Sequence, residues 1–330
     1  MEKMKKKRAL SGIQPSGKLH LGNLVGALSN WVKMQDDYEC FFFIADLHAL
    51  TTGYADTSRI KENILDVQMD MLSAGLDPER ATLFVQSDIP EHSELHLMFS
   101  MITPLAWLER VPTYKSQIAE LKEKDLGTYG FLGYPVLQAA DILIYKADVV
   151  PVGQDQLPHL ELTREIGRRF NYFYKDIFPV PANLLTSTPV LPGLDGRKMS
   201  KSYGNTIDLS DAPEVIRRKV SEAITDPARV KKDDKGHPDV CNIYAYHKLF
   251  NKNEVKQIEA DCKAAKIGCV ECKRRLAEKL IEHLAPIHEK RRSLENKLDD
   301  VREIFRSGGI KAQAIARRTL TEAKQAMRIL

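Results

Sequence analysis

Two lysines stand three residues apart in the stretch "GRKMSKSYGN", residues 196–205, among hydroxyl side chains and glycines. A loop of this composition can close over a triphosphate, where the ammonium groups of Lys198 and Lys201 would stabilise the charge developing on departing pyrophosphate. A solvated linker rich in lysine and serine is the alternative interpretation. The stretch therefore predicts a phosphate site, provided that a second loop supplies the remainder of it.

A second candidate loop is "SGIQPSGKLHLGN", residues 11–23. Residues 12–19 come within one residue of the Walker A pattern, but Leu19 stands where a Ser or Thr would bind magnesium. A true P-loop is therefore disfavoured. The two alternatives are a phosphate loop of another kind and a tight turn that binds no ligand. His20 and Asn23 open a predicted helix, whose N-terminal N–H groups and partial positive charge suit phosphate.

A third group lies in "GYPVLQAADILIYKAD", residues 133–148. Tyr134, Gln138 and Asp141 share one face of a predicted helix, because their spacings are four and three residues. An ionised Asp141 in this apolar setting can accept a hydrogen bond from a substrate N–H group. A surface or capping carboxylate is the alternative.

The segment "IADLHAL", residues 44–50, places two further polar side chains next to apolar ones. We predict that Asp46 and His48 share one face at the carboxyl end of a buried strand, where ligands of open α/β sheets bind. His48 is then either a pocket residue or a core histidine bonded to the backbone, and the sequence leaves both open.

The elements that must position these residues alternate along the first 200 residues. Apolar runs predict strands near residues 9–13, 40–50, 82–87 and 147–153, and amphipathic patterns between them predict helices. This alternation is typical of a doubly wound parallel α/β sheet. After about residue 208 only helical patterns remain, so we predict an α/β domain over residues 1–207 and a helical domain over residues 208–330.

Composition is that of a globular protein: 43% of the 330 residues are hydrophobic and 28% are charged. No apolar run reaches the roughly 20 residues of a membrane span, and the basic N-terminus leads into no secretory h-region, so we expect a cytoplasmic protein without a membrane partner. The net charge of +4 is uneven, because residues 273–330 hold fifteen Lys and Arg against eight Asp and Glu. Such a basic segment suits a polyanion such as nucleic acid, although a solvated helix face has the same composition.

Four of the five cysteines fall within 32 residues, with the spacing C-x20-C-x6-C-x2-C. Cytosolic proteins rarely use disulfides, so Cys241, Cys262, Cys269 and Cys272 predict a metal site. Four thiolates suit tetrahedral zinc or a [4Fe–4S] cluster, and the spacing alone does not choose between these and unligated cysteines. Cys40 begins an apolar strand and is predicted to be core.

Together these motifs resemble the class I aminoacyl-tRNA synthetases, with "HLGN" as the HIGH-type signature and "KMSKS" unaltered. Within that class the chain is most similar to the bacterial-type tryptophanyl family, through "SGIQPSG", "GALSNW", "FIADLHALT", "YPVLQAADILIY", "VPVGQDQLPHLELTREIGRRFN" and "RKMSKSYGN". The resemblance covers essentially the whole chain. It implies a Rossmann-like catalytic domain, an all-helical anticodon-binding domain and a homodimer that activates L-tryptophan with ATP and transfers it to tRNA(Trp).

The resemblance also implies roles for individual residues. His20, Asn23, Lys198 and Lys201 are the expected catalytic residues, and magnesium is expected to arrive with ATP. The expected ATP site comprises Gln14, Pro15, Ser16, His20, Gly22, Asn23, Gly153, Gln154, Asp155, Val190, Lys198, Met199, Ser200, Lys201 and Ser202. The expected tryptophan site comprises Leu10, His48, Tyr134, Gln138, Asp141 and Gln156, although many bacterial members carry methionine where Gln138 stands.

Some members of the tryptophanyl family carry a [4Fe–4S] cluster through a similar cysteine run, which favours a cluster over zinc at Cys241, Cys262, Cys269 and Cys272. Nearby basic side chains would then meet the tRNA backbone, namely Lys263, Lys266, Lys273, Arg274 and Arg275. Two other functions remain open: a tyrosyl-tRNA synthetase, and a catalytically silent synthetase-like protein that only binds nucleic acid. Leu10 argues against the tyrosyl enzyme, because it stands where that family's pocket is expected to carry a tyrosine.

Overall fold

The computed structural model describes residues 6–112, 114, 126–185, 191–231 and 233–330. Within them, five parallel strands form one sheet in the order β3-β2-β1-β4-β5. The strands are β1 (Arg8–Ile13), β2 (Glu39–Ile44), β3 (Ala81–Val85), β4 (Val149–Val152) and β5 (Ala182–Leu185). The chain winds outward from β1 through β2 to β3, and later from β4 to β5 on the other side. The point at which the winding direction reverses lies between β1 and β4.

Strands β1 and β4 are joined only at their amino ends. Whereas β1 pairs with β2 along six residues, the register between the two described strands β1 and β4 joins only Ala9 with Val149. The Arg8 N–H donates to a carboxylate oxygen of Asp148 at 2.7 Å, and the Asp148 N–H donates to the Arg8 carbonyl at 2.9 Å. The strands therefore open a gap toward their carboxyl ends, which is where ligands of doubly wound sheets bind.

Helices cover both faces of the sheet. The first helical segment, α1, runs through Leu21–Asn23, a π-helical turn at Leu24–Leu28 and Ser29–Met34. The helices that follow are α2 (Asp46–Gly53), α3 (Ile60–Ser73), α4 (Glu91–Ile102), α5 (Leu105–Glu109), α6 (Tyr129–Ile144), α7 (Leu157–Phe173), α8 (Pro213–Glu222), α9 (Asn242–Phe250), α10 (Val255–Lys263), α11 (Cys269–Glu295) and α12 (Leu298–Ala326).

The two longest helices pack on the α/β part of the chain. Helix α11 contributes Leu276 and Leu280 to the core on one face of the sheet, together with Phe42 of β2. Helix α12 contributes Ala316 to the core on the other face, together with Phe41. The C-terminal helices are therefore part of both cores of the sheet.

Helix α12 approaches the backbone of the edge strand β3 most closely at Gly308. A Cβ atom at Gly308 would lie 1.9 Å from the carbonyl oxygen of Leu83 and 2.8 Å from its carbonyl carbon. No side chain fits there unless the helix moves away from the strand. At the next position, Gly309, a Cβ would lie 3.9 Å from Asp88 Cβ, which is an ordinary contact.

Most of the predicted elements are confirmed. The doubly wound parallel sheet and the predominance of helices after residue 208 are present, but β5 had no strong sequence signal. The placement of Asp46 and His48 on a strand was wrong, because β2 ends at Ile44 and both residues lie in α2. The domain boundary between residues 207 and 208 stays a prediction. None of the described helices is both long and apolar enough to cross a membrane.

We predict that Gly308→Ala destabilises the fold by about 1–3 kcal/mol, because the added methyl group forces α12 away from β3. The matched control is Gly309→Ala, which adds the same methyl group one residue later and gains helix propensity, worth up to about 1 kcal/mol. Thermal denaturation followed by circular dichroism measures both. Equal melting temperatures for the two variants would contradict the close packing at Gly308.

Candidate active site

The gap between β1 and β4 leads into a cavity of about 460 Å³. Its walls come from β1, β4, α2, α6 and the turn that follows β4. Among the predicted site residues, the cavity is lined by Leu10, Gln14, His48, Tyr134, Gln138, Asp141, Gly153 and Gln156. The structure therefore brings together all six residues predicted for the amino-acid site and places two of the predicted ATP residues beside them.

Asp141 lies at the centre of a buried polar network on this wall. Its Oδ1 accepts hydrogen bonds from Gln86 Nε2 at 2.8 Å and from His92 Nδ1 at 2.6 Å. Its Oδ2 lies 2.7 Å from His48 Nε2. Two donors therefore hold Oδ1, whereas Oδ2 retains the capacity to accept one more hydrogen bond.

The network keeps Asp141 ionised. Burial raises the pKa of Asp141, but hydrogen bonds from His48 and His92 and the charges of both outweigh burial and hold that pKa well below its usual range. His92 Nε2 in turn lies 2.7 Å from the hydroxyl of Tyr145, whose pKa is raised by burial and by the charge of Asp141. Tyr145 therefore stays protonated, and its hydroxyl extends the hydrogen-bonded network through His92 to Asp141.

Sequence reasoning missed Gln86, His92 and Tyr145. The side chain of His48 contacts Asp141 and lines the cavity. His48 is therefore a pocket residue rather than a core histidine bonded to the backbone. Asp141 itself is 1% exposed, which excludes the surface-carboxylate alternative.

A second polar pair lines the same cavity. The Tyr134 hydroxyl lies 2.6 Å from Nε2 of His159, a residue of α7 that the sequence did not single out. Burial lowers the pKa of His159, so the imidazole is neutral and its Nε2 can accept from Tyr134. His159 Nδ1 is buried without a hydrogen-bond partner among the described residues.

The glycine-rich loop after β1 ends at His20, directly before α1. The His20 backbone N–H donates to the Asn23 side-chain oxygen at 3.0 Å, which leaves the Asn23 amide nitrogen as the donor for a ligand. Burial, followed by the charge of Lys201, lowers the pKa of His20 to about 4. His20 is therefore neutral at physiological pH, and its ring acts toward an anion as a hydrogen-bond donor rather than as a cation.

The lysine loop packs directly against the glycine-rich loop. The Gly22 N–H donates to Met199 Sδ at 3.3 Å, and a Cβ at Gly17 would lie 3.4 Å from Lys201 Nζ. Gly17 also has a φ angle of +116°, which L side chains rarely adopt. Lys201 Nζ is buried and has no hydrogen-bond partner among the described residues, whereas Lys198 is exposed. The two lysines therefore occupy different environments within one loop.

Asn205 braces the lysine loop and was not predicted as a site residue. Its side-chain oxygen accepts from the Ser200 N–H at 2.8 Å. Its amide nitrogen donates to Asp195 Oδ1 at 2.7 Å and to the Lys198 carbonyl at 3.1 Å. The side chain of Asn205 therefore holds the lysine loop through hydrogen bonds rather than through a helix or strand.

The remaining predicted ATP residues lie at the mouth of the gap or outside the described part of the chain. Gln154 and Asp155 are exposed on a 3-10 turn after β4, and Gly153 allows Asp155 to fold back, since a Cβ there would lie 2.7 Å from Asp155 Oδ1. Pro15 is buried and Ser16 is exposed in the glycine-rich loop. Val190 and the side chain of Ser202 lie outside the described residues.

The four clustered cysteines lie in the helical part of the chain, away from this cavity. Burial, followed by the charges of Cys241, Cys262 and Cys269, raises the pKa of Cys272 to about 12. The four thiols are therefore near neighbours. Within the ranges that the structure describes, however, no group of three or more His, Cys, Asp or Glu side chains could hold a metal ion. Cys40, by contrast, is buried in the core, as predicted.

A parallel doubly wound sheet with two phosphate-type loops at the carboxyl ends of its strands defines a nucleotide-binding α/β protein. The family model described as "tRNA synthetases class I (W and Y)" matches residues 2–285. The chain belongs to this family.

Individual relatives are similar over nearly their whole length. The tryptophan–tRNA ligase of Thermotoga maritima is 51% identical over 326 residues, which cover 98% of this chain and 99% of the relative. The tryptophan–tRNA ligase of Aquifex aeolicus is 46% identical, with 98% and 100% covered. Among solved structures, the chain is similar to the crystal structure of tryptophanyl-tRNA synthetase from Campylobacter jejuni complexed with ADP and tryptophan. The TM-score is 0.87 at 34% identity, and the match covers 97% of this chain and 99% of the Campylobacter jejuni chain.

We predict that Lys201 lowers the stability of the ligand-free protein. Burial lowers its pKa from 10.5 to about 8, against the opposing charges of Asp208, Asp70 and Asp66. Between these two pH values the unfolded chain binds more protons than the folded one, so the contribution of Lys201 to stability rises with pH. The variant Lys201→Met should therefore melt at a higher temperature than the wild type at pH 7, and the difference should shrink toward pH 10.

The control is Lys198→Met, which removes the exposed lysine of the same loop. Its melting temperature should follow the wild-type pH profile throughout. If the profiles of Lys201→Met and wild type run parallel between pH 7 and pH 10, the ammonium of Lys201 is not buried at a cost in the folded protein.

Proposed function

We propose that this chain is a tryptophan–tRNA ligase. It activates L-tryptophan with ATP to tryptophanyl-adenylate and pyrophosphate, and then transfers tryptophan to tRNA(Trp). The observation that carries the proposal is the ionised, buried Asp141 in a cavity that Gln14 of the glycine-rich loop also lines, within a class I synthetase fold.

The tryptophan pocket follows from the Asp141 network. Gln86 and His92 hold Oδ1, so the remaining acceptor capacity of Oδ2 is available for the indole N–H. Leu10, 2% exposed, gives this pocket an apolar wall suited to an indole ring. Tyr134, Gln138 and Gln156 are then placed to hold the α-amino group.

The adenylation step needs positioning and charge stabilisation rather than a covalent nucleophile. The tryptophan carboxylate oxygen attacks the α-phosphorus of ATP, the bond to the bridging oxygen breaks, and pyrophosphate leaves with the electron pair. His20 and Asn23 donate hydrogen bonds to the phosphates, and Lys198 and Lys201 stabilise the charge on pyrophosphate. Magnesium supplies further charge neutralisation when it enters as the ATP complex. The other proposed ATP contacts, including Gly153, Gln154, Asp155 and Val190, hold the nucleoside.

We further propose a cytoplasmic homodimer that binds tRNA through its basic helical part. Exposed apolar side chains of α4 and α5 support a subunit interface, namely Leu97, Met101 and Leu105. The tRNA backbone would meet the basic side chains around the cysteine cluster, although these also have partners within the chain: Lys263 pairs with Glu259, and both Arg274 and Arg275 pair with Glu271.

For the four cysteines we propose a [4Fe–4S] cluster, with zinc as the second candidate. The proximity of the four thiols supports it, because the charge of each of the others raises the pKa of Cys272. Binding requires these side chains to rearrange, since no described group of three His, Cys, Asp or Glu could hold a metal ion as it stands. A bound metal would brace the helical part, so no step of the reaction is assigned to it.

The proposed reaction predicts ATP–pyrophosphate exchange that depends on tryptophan alone. Each amino acid is offered separately to the purified protein, and incorporation of labelled pyrophosphate into ATP is measured. Exchange led by tyrosine would reject the indole pocket while keeping the two loops. Absence of exchange with every amino acid would favour a silent nucleic-acid-binding protein.

The same assay tests the role of Asp141. The variant Asp141→Asn should lower kcat/KM for tryptophan by about 10- to 150-fold, the equivalent of about 1.5–3 kcal/mol for one hydrogen bond to a charged group, and should leave KM for ATP nearly unchanged. The matched control is Asp46→Asn, because Asp46 is also a buried carboxylate, bonded to the Ser87 N–H at 3.0 Å. Equal losses in the two variants would assign Asp141 to the fold rather than to substrate.

A cluster at the four cysteines predicts iron and acid-labile sulfide in about fourfold molar excess over protein prepared without oxygen. Zinc in equimolar amount would instead identify a tetrahedral zinc site. The variant Cys269→Ser should lose the metal, whereas Cys40→Ser should retain it. Protein that contains neither metal would identify the four cysteines as unligated.

A further inference from the structure

A single buried carboxylate joins the glycine-rich loop to the C-terminal helices. Asp70, on α3, is 0% exposed. Its Oδ2 accepts a hydrogen bond from the backbone N–H of Leu19 at 2.8 Å. Its Oδ1 accepts from Arg291 Nη1, on α11, 221 residues further along the chain. One carboxylate therefore contacts both the ATP loop and a helix of the C-terminal part.

Arg291 is itself buried, at 4% exposure, and is held by more than Asp70. Its Nη2 donates to Asp66 Oδ1 at 2.5 Å, and its Nη1 also donates to the Asp66 carbonyl at 3.2 Å. Removing one partner from such a buried group of charges leaves the others uncompensated, which is far more costly than the loss of a surface pair. Arg291 therefore fixes the position of the Asp70 carboxylate rather than merely lying near it.

The bond from Leu19 acts directly on the catalytic loop. Leu19 precedes His20, and its carbonyl accepts from the Leu209 N–H at 2.8 Å, so both polar groups of Leu19 are held. The charges of Asp70 and Asp66 also raise the pKa of Lys201 against the effect of burial. Asp70 thus helps to hold His20 in place, and the charges of Asp70 and Asp66 favour the protonated form of Lys201.

We propose that Asp70 and Arg291 are positioning residues that hold the His20 turn in the geometry that binds ATP, so that α11 is mechanically coupled to the ATP site. The inference rests on the proposed adenylation function. Neither side chain lines the cavity, and the pair acts on the ATP loops through the Leu19 peptide and through the charge of Asp70 on Lys201. Their loss is therefore expected to affect ATP and to spare tryptophan.

The variants Asp70→Asn and Arg291→Met should each raise KM for ATP in the exchange assay by about tenfold, with KM for tryptophan changed by less than about twofold. Arg291→Lys, which keeps the charge without the planar fork, should be intermediate. The matched control is Arg292→Met, because Arg292 is the exposed neighbour on the same helix and carries the same charge.

A pH profile separates positioning from a structural role. Burial raises the pKa of Asp70 to about 6, opposed by Arg291 and the Leu19 N–H, with Asp66 raising it and Lys201 lowering it. In Arg291→Met the strongest opposing charge is gone, so the pKa of Asp70 rises toward neutrality. Exchange by this variant should fall between pH 8 and pH 6 more steeply than that of the wild type, and the double variant Asp70→Asn/Arg291→Met should lose the added dependence.

Equal changes in the two KM values, or a wild-type pH profile in Arg291→Met, would overturn the proposal. A variant that no longer melts cooperatively would also count against it, because the pair would then hold the fold rather than the loop. Failure of the wild type to exchange with tryptophan would refute the proposed function instead. In that event the ATP dissociation constant from isothermal titration calorimetry still decides between the variants and Arg292→Met.

Discussion

The site depends on the way in which β1 and β4 are joined. Their hydrogen-bonded register holds Ala9 against Val149, and the Arg8 and Asp148 backbones tie the same ends. Because the chain leaves these strands in opposite directions, no crossover helix bridges their carboxyl ends, and a gap results. The cavity and the turn after β4 lie in this gap, and the glycine-rich loop borders it. The topology therefore creates the site before any catalytic side chain is specified.

The sequence predicts those parts of the site in which neighbouring residues lie on one helix or in one loop. Tyr134, Gln138 and Asp141 were predicted to share a face because helical spacing is fixed, and all three line the cavity. Gln86 and His92 come from the segment after β3, more than 40 residues earlier, and they meet Asp141 only when the sheet has formed. No local periodicity marks such partners. The same holds for Arg291 and Asp70, which no pattern in either segment connects.

The one wrong placement has a local cause. Ile44, Asp46 and His48 alternate with a period of two, which mimics a strand. Both neighbours of β2 end their pairing at Ile44, however, so a longer strand would have left unpaired backbone groups at the edge of the cavity. The helix that starts at Asp46 replaces this extension and places His48 beside Asp141. Tertiary pairing thus overrides an apolar pattern that is otherwise correct up to Ile44.

The buried charges around the site divide into two kinds. Asp70 and Asp66 both pair with the guanidinium of Arg291, and charges paired in this way are tolerated in a low-dielectric interior. Lys201 has no such partner among the described residues, although its burial lowers its pKa to about 8. A polyphosphate bound between the two loops would supply the missing anion and raise that pKa again. The free energy lost by burying Lys201 would thereby be recovered on binding of ATP, and a local instability would become affinity for the substrate.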